Sequence, residues 1–433
     1  MKFITYPVRL LLAAGMLAPF AATAGTETPA PTESTSSSST ATGLLVGKFP
    51  GETNYDKIWS AFTLYKDENN PILQEFSLQG RFQAQYAGGD SSTDDYHDAG
   101  KGEYIGGSDI EIRRAHIGFK SKWFQNWKFD GQIVVDSDFQ DELGDDTFYR
   151  DLYDLFITYA PSDAFNLAFG KREVTFGREY DISSKEILTF ERSGLSNLLF
   201  PGNLTGVWTS GKGIGGHWLY ELGAYGNDRR REFSHFDEGA IILAKIGYDY
   251  SHQAGLDSAI VSLHYMHNSD PGIQFMTEGY TGSASPVFTD SISLSNDIVQ
   301  GRFGLTTDIL FGLGFEGQAY QKTKTVSINQ PDVFGISIIP SYFIADGLQL
   351  VGRFQFAGSN GPNGLKPPGR YEEASLLPSK GDVKGNSYIS TYLGLNYYIY
   401  GHKLKLMTGA EYTQMGGGDY SGTTFYSGLR AYF

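Results

Sequence analysis

The sequence predicts an all-β protein, namely a transmembrane antiparallel β-barrel of about sixteen strands with short periplasmic turns and long external loops. Three observations predict this fold. Within residues 74–86, apolar and polar side chains alternate from Phe76 to Tyr86 without a break, as in a strand that crosses a bilayer at a tilt. Similar runs recur as far as Phe433, and the breaks between them alternate between short and long. Tyr (28), Phe (30) and Gly (54) are abundant, as aromatic girdles and tight turns require.

The composition also excludes several classes of protein. Hydrophobic residues make up 40% of the chain and the mean hydropathy is −0.29, which excludes a bundle of apolar membrane helices. No cysteine is present, so disulfides and thiolate metal sites are excluded, as in an exported chain that crosses the periplasm unfolded. The net charge of −15 argues against nucleic acid as a partner. A secreted soluble β protein remains open as an alternative.

The chain divides into four predicted parts. Residues 1–24 have a basic start, an apolar stretch and a small-residue cleavage site at 22–24, which predicts a signal peptide. Residues 25–43 are rich in Thr, Ser, Pro and Glu, and we expect a disordered leader. Residues 44–71 would form either a plug or a periplasmic approach to the first strand. Residues 72–433 would form the barrel.

Within the barrel, the breaks between predicted strands alternate in length. Short breaks such as 161–163 alternate without exception with long breaks such as 175–202. This alternation is typical of outer-membrane barrels. The predicted strands are 72–87, 109–120, 127–137, 151–160, 164–174, 203–212, 217–225, 239–250, 258–267, 297–308, 312–320, 333–343, 347–357, 386–399, 403–413 and 423–433.

Three stretches of the sequence resemble the phosphate-selective porin O and P family. They are LQGRFQ at 78–83, IRRAHIGFK at 112–120 with WKFDGQ at 127–132, and FGKREVTFG at 169–177 followed by FERS at 190–193. The resemblance covers roughly residues 72–210. It implies a sixteen-stranded, trimeric outer-membrane channel that passes anions by means of lumen arginines and an inward-folded loop.

The sequence departs from the family pattern in two places. The family often has an arginine near the start of the strand that follows the third stretch, whereas this chain has Gly202-Asn203-Leu204. The long external loops are acidic and not lysine-rich. Both departures leave an anion channel intact but weaken the case for high phosphate selectivity.

Cations at strand centres are the candidate functional residues, because an arginine that faces lipid at mid-membrane costs about 2–4 kcal/mol and should point inward. A guanidinium keeps its charge and presents forked donors that fit phosphate oxygens. By phase or by position in the loop, the candidate pore-lining and anion-binding residues are Arg81, Arg114, Lys120, Arg172, Arg178, Arg192, Arg302 and Arg353. Arg113 should point outward unless a β-bulge resets the phase.

Inward carboxylates give these cations an alternative role. Asp130, Asp136, Asp154, Glu316 and Glu411 share the inward phase and could pair with the arginines, which would then only rigidify the barrel.

The break at 175–202 is unusually apolar for an external loop. It combines Arg178, Lys185, Glu191 and Arg192 with many apolar side chains. We expect it to fold into the barrel and narrow it. The alternative is a loop packed against a neighbouring subunit.

Other charged loops have simpler interpretations. The triple arginine at 229–231 could gather anions at the mouth of a pore, or form an ordinary solvated turn. The acidic runs at 90–98 and 136–146 lack the spacing of a calcium loop and are expected to be solvated.

Catalytic signatures are thin, so we predict a protein that is not an enzyme and needs no cofactor or metal. The eight histidines never stand at zinc spacing, and no nucleophile elbow or phosphate-binding glycine loop is found. We therefore expect a porin in the outer membrane of a Gram-negative-type bacterium, through which phosphate, polyphosphate or other small anions diffuse. The expected partners are those anions, outer-membrane lipid and two further copies of the chain. The alternative is a general or weakly cation-preferring porin on the same barrel.

Overall fold

The computed structural model describes the barrel and the short segment before it. The described residues are 53–91, 108–135, 149–228, 232–234, 236, 239–271, 288–321, 324–365, 385–418 and 420–433. The predicted signal peptide, the leader, the acidic runs beyond residue 91, Asp136 and the arginines at 229–231 lie outside these residues. No helix among the described residues is long and apolar enough to cross a membrane.

Sixteen of the described strands close into one antiparallel barrel, in which each strand bonds to the next in the chain and the last bonds to the first. They are β2 (Leu73–Ser91), β3 (Ser108–Trp123), β4 (Trp127–Val135), β5 (Tyr149–Ser162), β6 (Phe165–Glu173), β7 (Asn203–Ile214), β8 (Trp218–Gly226), β9 (Ala240–Asp249), β10 (Ser258–Asn268), β11 (Phe288–Gln300), β12 (Phe303–Gln321), β14 (Val333–Ala345), β15 (Leu348–Ser359), β16 (Ser387–Tyr400), β17 (Leu404–Gly416) and β18 (Ser421–Tyr432). Closure between β18 and β2 leaves no open edge in the wall. The predicted barrel is confirmed.

Two further strands extend this sheet. β1 (Thr63–Lys66) pairs with the start of β2, and β13 (Lys324–Gln330) pairs with the second half of β12. The break predicted at 321–332 therefore contains a strand.

The alternation seen in the sequence fixes which face of each strand lines the barrel. On β2 the side chains of Gln79, Arg81 and Gln83 are buried inside, whereas those of Leu78 and Phe82 are exposed outside. The same division runs around the wall. The inner face of the barrel is thus polar and its outer face is apolar, as a barrel in lipid requires.

The prediction is wrong for one pair of strands. Instead of strands at 297–308 and 312–320 with a break at 309–311, the chain forms β11 and β12 with a turn at Gly301 and Arg302. Gly301 has a φ of +55°, a conformation that glycine adopts without strain. Residues 309–311 are Ile-Leu-Phe, which have no turn chemistry, and they pair with β14 inside the wall. The serine-rich residues 288–296, for which the sequence predicts a loop, form most of β11.

In the part of the chain that the structure describes, four short helices accompany the strands: α1 (Asn54–Ser60), α2 (Arg178–Asp181), α3 (Gly194–Leu198) and α4 (Ser251–Ala254). Thr53 caps α1 reciprocally with Asp56, since each side chain bonds the backbone N–H of the other. After α1, the ring of Phe62 stacks on that of Phe433, 3.7 Å away. Residues 53–66 therefore pack against the end of the chain, where β18 meets β2.

Candidate functional site

The segment between β6 and β7 lies inside the barrel and carries α2 and α3. Lys405 on β17 donates to the carbonyl of Ile187 (2.7 Å), and Asn396 on β16 donates to that of Leu188 (2.9 Å). At the start of the segment, the Gly177 N–H donates to Nδ1 of His264 on β10 (3.2 Å). Because β10 and β17 are far apart in the strand order, the segment crosses the lumen. The prediction that it folds inward is confirmed, and these contacts replace the alternative in which it packs on a neighbouring subunit.

Apolar packing explains why this segment is so hydrophobic. Leu195 and Leu199 are buried in a cluster with inward side chains of the wall, among them Leu243 and Leu310. Further along, Phe190 stacks on Tyr426 of β18 at 5.0 Å. The segment thus buries apolar surface against the wall, as a soluble core does.

Two predicted site residues hold the segment, Arg353 from the wall and Arg192 from within the segment. Arg353 on β15 is only 2% exposed. It donates to both carboxylate oxygens of Glu411 (2.9 and 3.1 Å) and to the carbonyl of Glu191 (2.5 Å). Arg192 donates to the carbonyls of Glu179 (2.8 Å) and Ile182 (3.0 Å) within the segment. Both arginines lie within the barrel but are enclosed.

The start of the segment, at α2, is held to the wall by ion pairs. Arg178 pairs with Asp297 on β11, and its backbone N–H donates to Asp308 on β12 (2.7 Å). Lys245 on β9 pairs with Asp181 (2.7 Å). These contacts join α2 to three strands of the wall, β9, β11 and β12.

Arg172 and Lys120 are paired on the wall itself. Arg172 on β6 pairs with Glu221 on β8, and its guanidinium lies 4.3 Å from the centre of the Trp208 ring. Lys120 on β3 lies 3.6 Å from Asp130 on β4 and stays half exposed. For Lys120 the pairing with Asp130 that the sequence left open is realised, whereas Arg172 pairs with a carboxylate that sequence reasoning did not name.

A β-bulge turns Arg113 inward. Gln83 on β2 faces Arg114, but the next residue, Ala84, faces Ile112, so Arg113 is the extra residue of β3. Both arginines then reach Glu191 on the segment. Nε of Arg113 lies 2.6 Å from Oε1, and Nη2 of Arg114 lies 3.7 Å from Oε2. The condition that the sequence set for an inward Arg113 is met.

Further cations surround this contact. Arg81 donates to the hydroxyl of Ser184, and Arg430 on β18 donates to the carbonyl of Phe190 (2.5 Å). Burial together with the like charges of Arg81 and Lys120 lowers the pKa of Lys185, in the segment, to about 8. We call Arg81, Arg113, Arg114, Lys185 and Arg430 the basic cluster. Sequence reasoning missed Arg430, although its phase on the last strand points inward.

Arg302 is the predicted site residue that the structure places elsewhere. It lies in the turn between β11 and β12, whereas the predicted strand 297–308 would place it at a strand centre. Its side chain is 40% exposed and donates to Asp346 (2.6 Å) and to the carbonyl of Phe343 (3.2 Å). It is therefore at the end of the wall.

The remaining inward carboxylates have separate places. Asp154 accepts a hydrogen bond from the backbone N–H of Glu173 (3.0 Å). Glu316 is exposed on the part of β12 that pairs with β13. Across the described ranges, no group of three or more His, Asp or Glu side chains is placed to hold a metal ion.

Comparison with known proteins identifies related chains. The family model described as phosphate-selective porin O and P matches residues 76–417. No curated protein matches the chain. Similar solved structures include OmpF of Salmonella typhi in complex with daunomycin (13% identity, TM-score 0.52, 86% of this chain and 100% of that chain). In-vitro folded OmpT, an outer-membrane protein of Vibrio cholerae, is also similar (12% identity, TM-score 0.51, 86% and 99%). At these identities the structural likeness shows a shared fold alone.

Proposed function

The chain belongs to the phosphate-selective porin O and P family, and on that premise we propose that it admits phosphate and other small anions by passive diffusion. It is a porin channel of the outer membrane, and its family and fold are those of a channel and not of an enzyme. The proposal concerns which solutes pass.

The basic cluster is the observation that carries this proposal. Five cations from β2, β3, β18 and the inward segment converge where the segment meets the wall. Arg113 and Arg114 pair with Glu191, whereas Arg81 and Arg430 bind the Ser184 hydroxyl and the Phe190 carbonyl. The pKa of Lys185 is lowered first by burial and then by the like charges of Arg81 and Lys120. A region of this kind attracts anions electrostatically.

Forked guanidinium donors suit the oxygens of phosphate, and each can replace part of the anion's hydration shell. Conduction also requires that each site be weak enough to release the anion. Arg113 and Arg114 are the more exposed arginines of the cluster, at 21% and 14%, so anions that pass the inward segment would meet their donors first.

The experiment is to measure the reversal potential in planar bilayers under a KCl gradient and then to titrate the current with phosphate. We expect anion selectivity and block by phosphate, with block weakened in Arg81→Ala. Arg302→Ala is the matched control, since it removes the same group from the end of the wall. Cation selectivity without phosphate block would contradict the proposal.

A general or weakly cation-preferring porin is the second candidate, and the ion pairs favour it. Arg172, Arg178, Lys120 and Arg353 each pair with a carboxylate, which removes much of their attraction for anions. The same reversal potential decides between the two candidates.

We infer in addition that the porin assembles as a homotrimer in contact with outer-membrane lipid, as the family resemblance implies. The mass of the detergent-extracted protein tests this. A mass of one chain would remove the trimer and leave the channel proposal standing.

A further inference from the structure

Glu191 places a carboxylate from the inward segment among guanidinium groups of the wall. Arg113 presents two donors to it, with Nε 2.6 Å from Oε1 and Nη2 3.1 Å from Oε2. Arg114 approaches Oε2 at 3.7 Å, and the Glu191 side chain is 5% exposed. This forked contact is the geometry in which a guanidinium binds a free carboxylate or phosphate.

The surroundings of this carboxylate favour its ionised form. Burial alone would raise the pKa of Glu191, but the charges of Arg113 and Arg114 outweigh burial and hold the pKa well below its usual range.

The backbone of Glu191 is held by contacts of its own. Its backbone carbonyl already accepts hydrogen bonds from Arg353 (2.5 Å) and from the Thr189 hydroxyl (2.7 Å). Neighbouring carbonyls of the segment are bound by Lys405 and Arg430. Positioning by the backbone leaves the carboxylate with another role.

The bulge in β3 points to the same role. A regular strand would direct Arg113 to the lipid side of the wall, and the extra residue instead turns it toward Arg114 and Glu191. The strand thus departs from regular pairing at the residue where two guanidinium groups are brought to one carboxylate.

We propose that Glu191 is a tethered competitor, whose carboxylate occupies the Arg113–Arg114 site until a permeating phosphate or carboxylate displaces it. The inference rests on the proposed anion conduction. It explains how a buried pair of arginines avoids trapping its solute: the returning carboxylate competes for the same donors and helps to release the bound anion.

The test is Glu191→Gln, a substitution that keeps size and removes charge, measured by phosphate block of single channels. We expect the half-blocking phosphate concentration to fall about tenfold, which corresponds to ~1.4 kcal/mol. The effect should act through Arg113. Arg113→Ala alone should weaken block, because it removes a donor of the site that phosphate occupies, and in Glu191→Gln it should abolish the gain.

Glu411→Gln is the matched control, because its carboxylate also pairs with an arginine but lies enclosed with Arg353. We expect it to lower heat stability without tightening block. If Glu191→Gln behaves like this control, or if its gain persists without Arg113, Glu191 is an anchor and the inference is overturned. A wild-type channel without block whose Glu191→Gln form is blocked would instead overturn the proposed phosphate function alone.

Discussion

Lys185 offers a titration that reports on the field inside the barrel. Burial and the charges of Arg81 and Lys120 lower its pKa to about 8, so its ammonium loses charge within an accessible range. The charged form dominates below that pH and the neutral form above it. We expect anion preference, measured as reversal potential, to weaken as pH rises through about 8.

Lys185→Arg is the control for this titration, because a guanidinium stays charged across the whole range. Its reversal potential should be flat over the same pH interval. A wild-type profile that is equally flat would show that Lys185 does not contribute to the field that anions meet.

Arg353 and Arg302 were predicted for the same role and differ most in their surroundings. Removal of Arg353 leaves Glu411 and Glu179 buried without their cation, and we expect Arg353→Ala to lower the free energy of unfolding by about 3–5 kcal/mol. Arg302 pairs with Asp346 in water, so Arg302→Ala should cost less than about 1 kcal/mol. Unfolding by denaturant in lipid vesicles measures both. Equal losses would contradict the distinction.

The inward face of β2 followed directly from its sequence, but the fate of Arg113 did not. Alternation predicts direction only while the pairing is regular, and a bulge is set by two strands together. In the same way, phase placed Arg353 inside the barrel and could not show that a distant segment encloses it. Contacts between residues far apart in the chain could not be predicted from the sequence.

At the scale of elements, residues 53–66 close over the seam of the barrel. The Trp59 indole donates to the Tyr432 carbonyl (2.6 Å), and the Phe433 ring lies over Gly80 of β2. A Cβ at Gly80 would come within 2.4 Å of that ring, which must then leave its stack on Phe62. We expect Gly80→Ala to lower stability by about 1–3 kcal/mol and to raise the accessibility of the carboxy terminus to carboxypeptidase.

Gly352→Ala on β15 is the companion variant, since a Cβ there meets Pro340 at an ordinary 3.4 Å. It should be neutral or slightly stabilising. If the two variants are alike, the seam does not depend on the position of the Phe433 ring.

The strands were predicted well where turn residues and alternation agreed, as for β14 and β15 around Gly347. The prediction is wrong for β11 and β12. The alternating serines of β11 predict a loop, and the apolar run at 309–311 inside β12 stands where a break is predicted. Small polar residues on an inward face carry little hydrophobic signal, so such a strand is recognised only from its neighbours.

For the whole molecule, the decisive property is that its exposed apolar surface faces lipid. Leu393, at the centre of β16, is 60% exposed, and Leu64, on β1 outside the wall, is 57% exposed.

In a soluble protein an arginine at either position would be tolerated. In a membrane barrel, Leu393→Arg should cost about 2–4 kcal/mol, whereas Leu64→Arg should be close to neutral because it meets water. Reversible unfolding in vesicles measures both costs, and two near-neutral variants would contradict lipid contact at Leu393. Similar exposed fractions therefore predict opposite costs for arginine at the two sites. Leu393 faces lipid only because the barrel closes around its polar lumen.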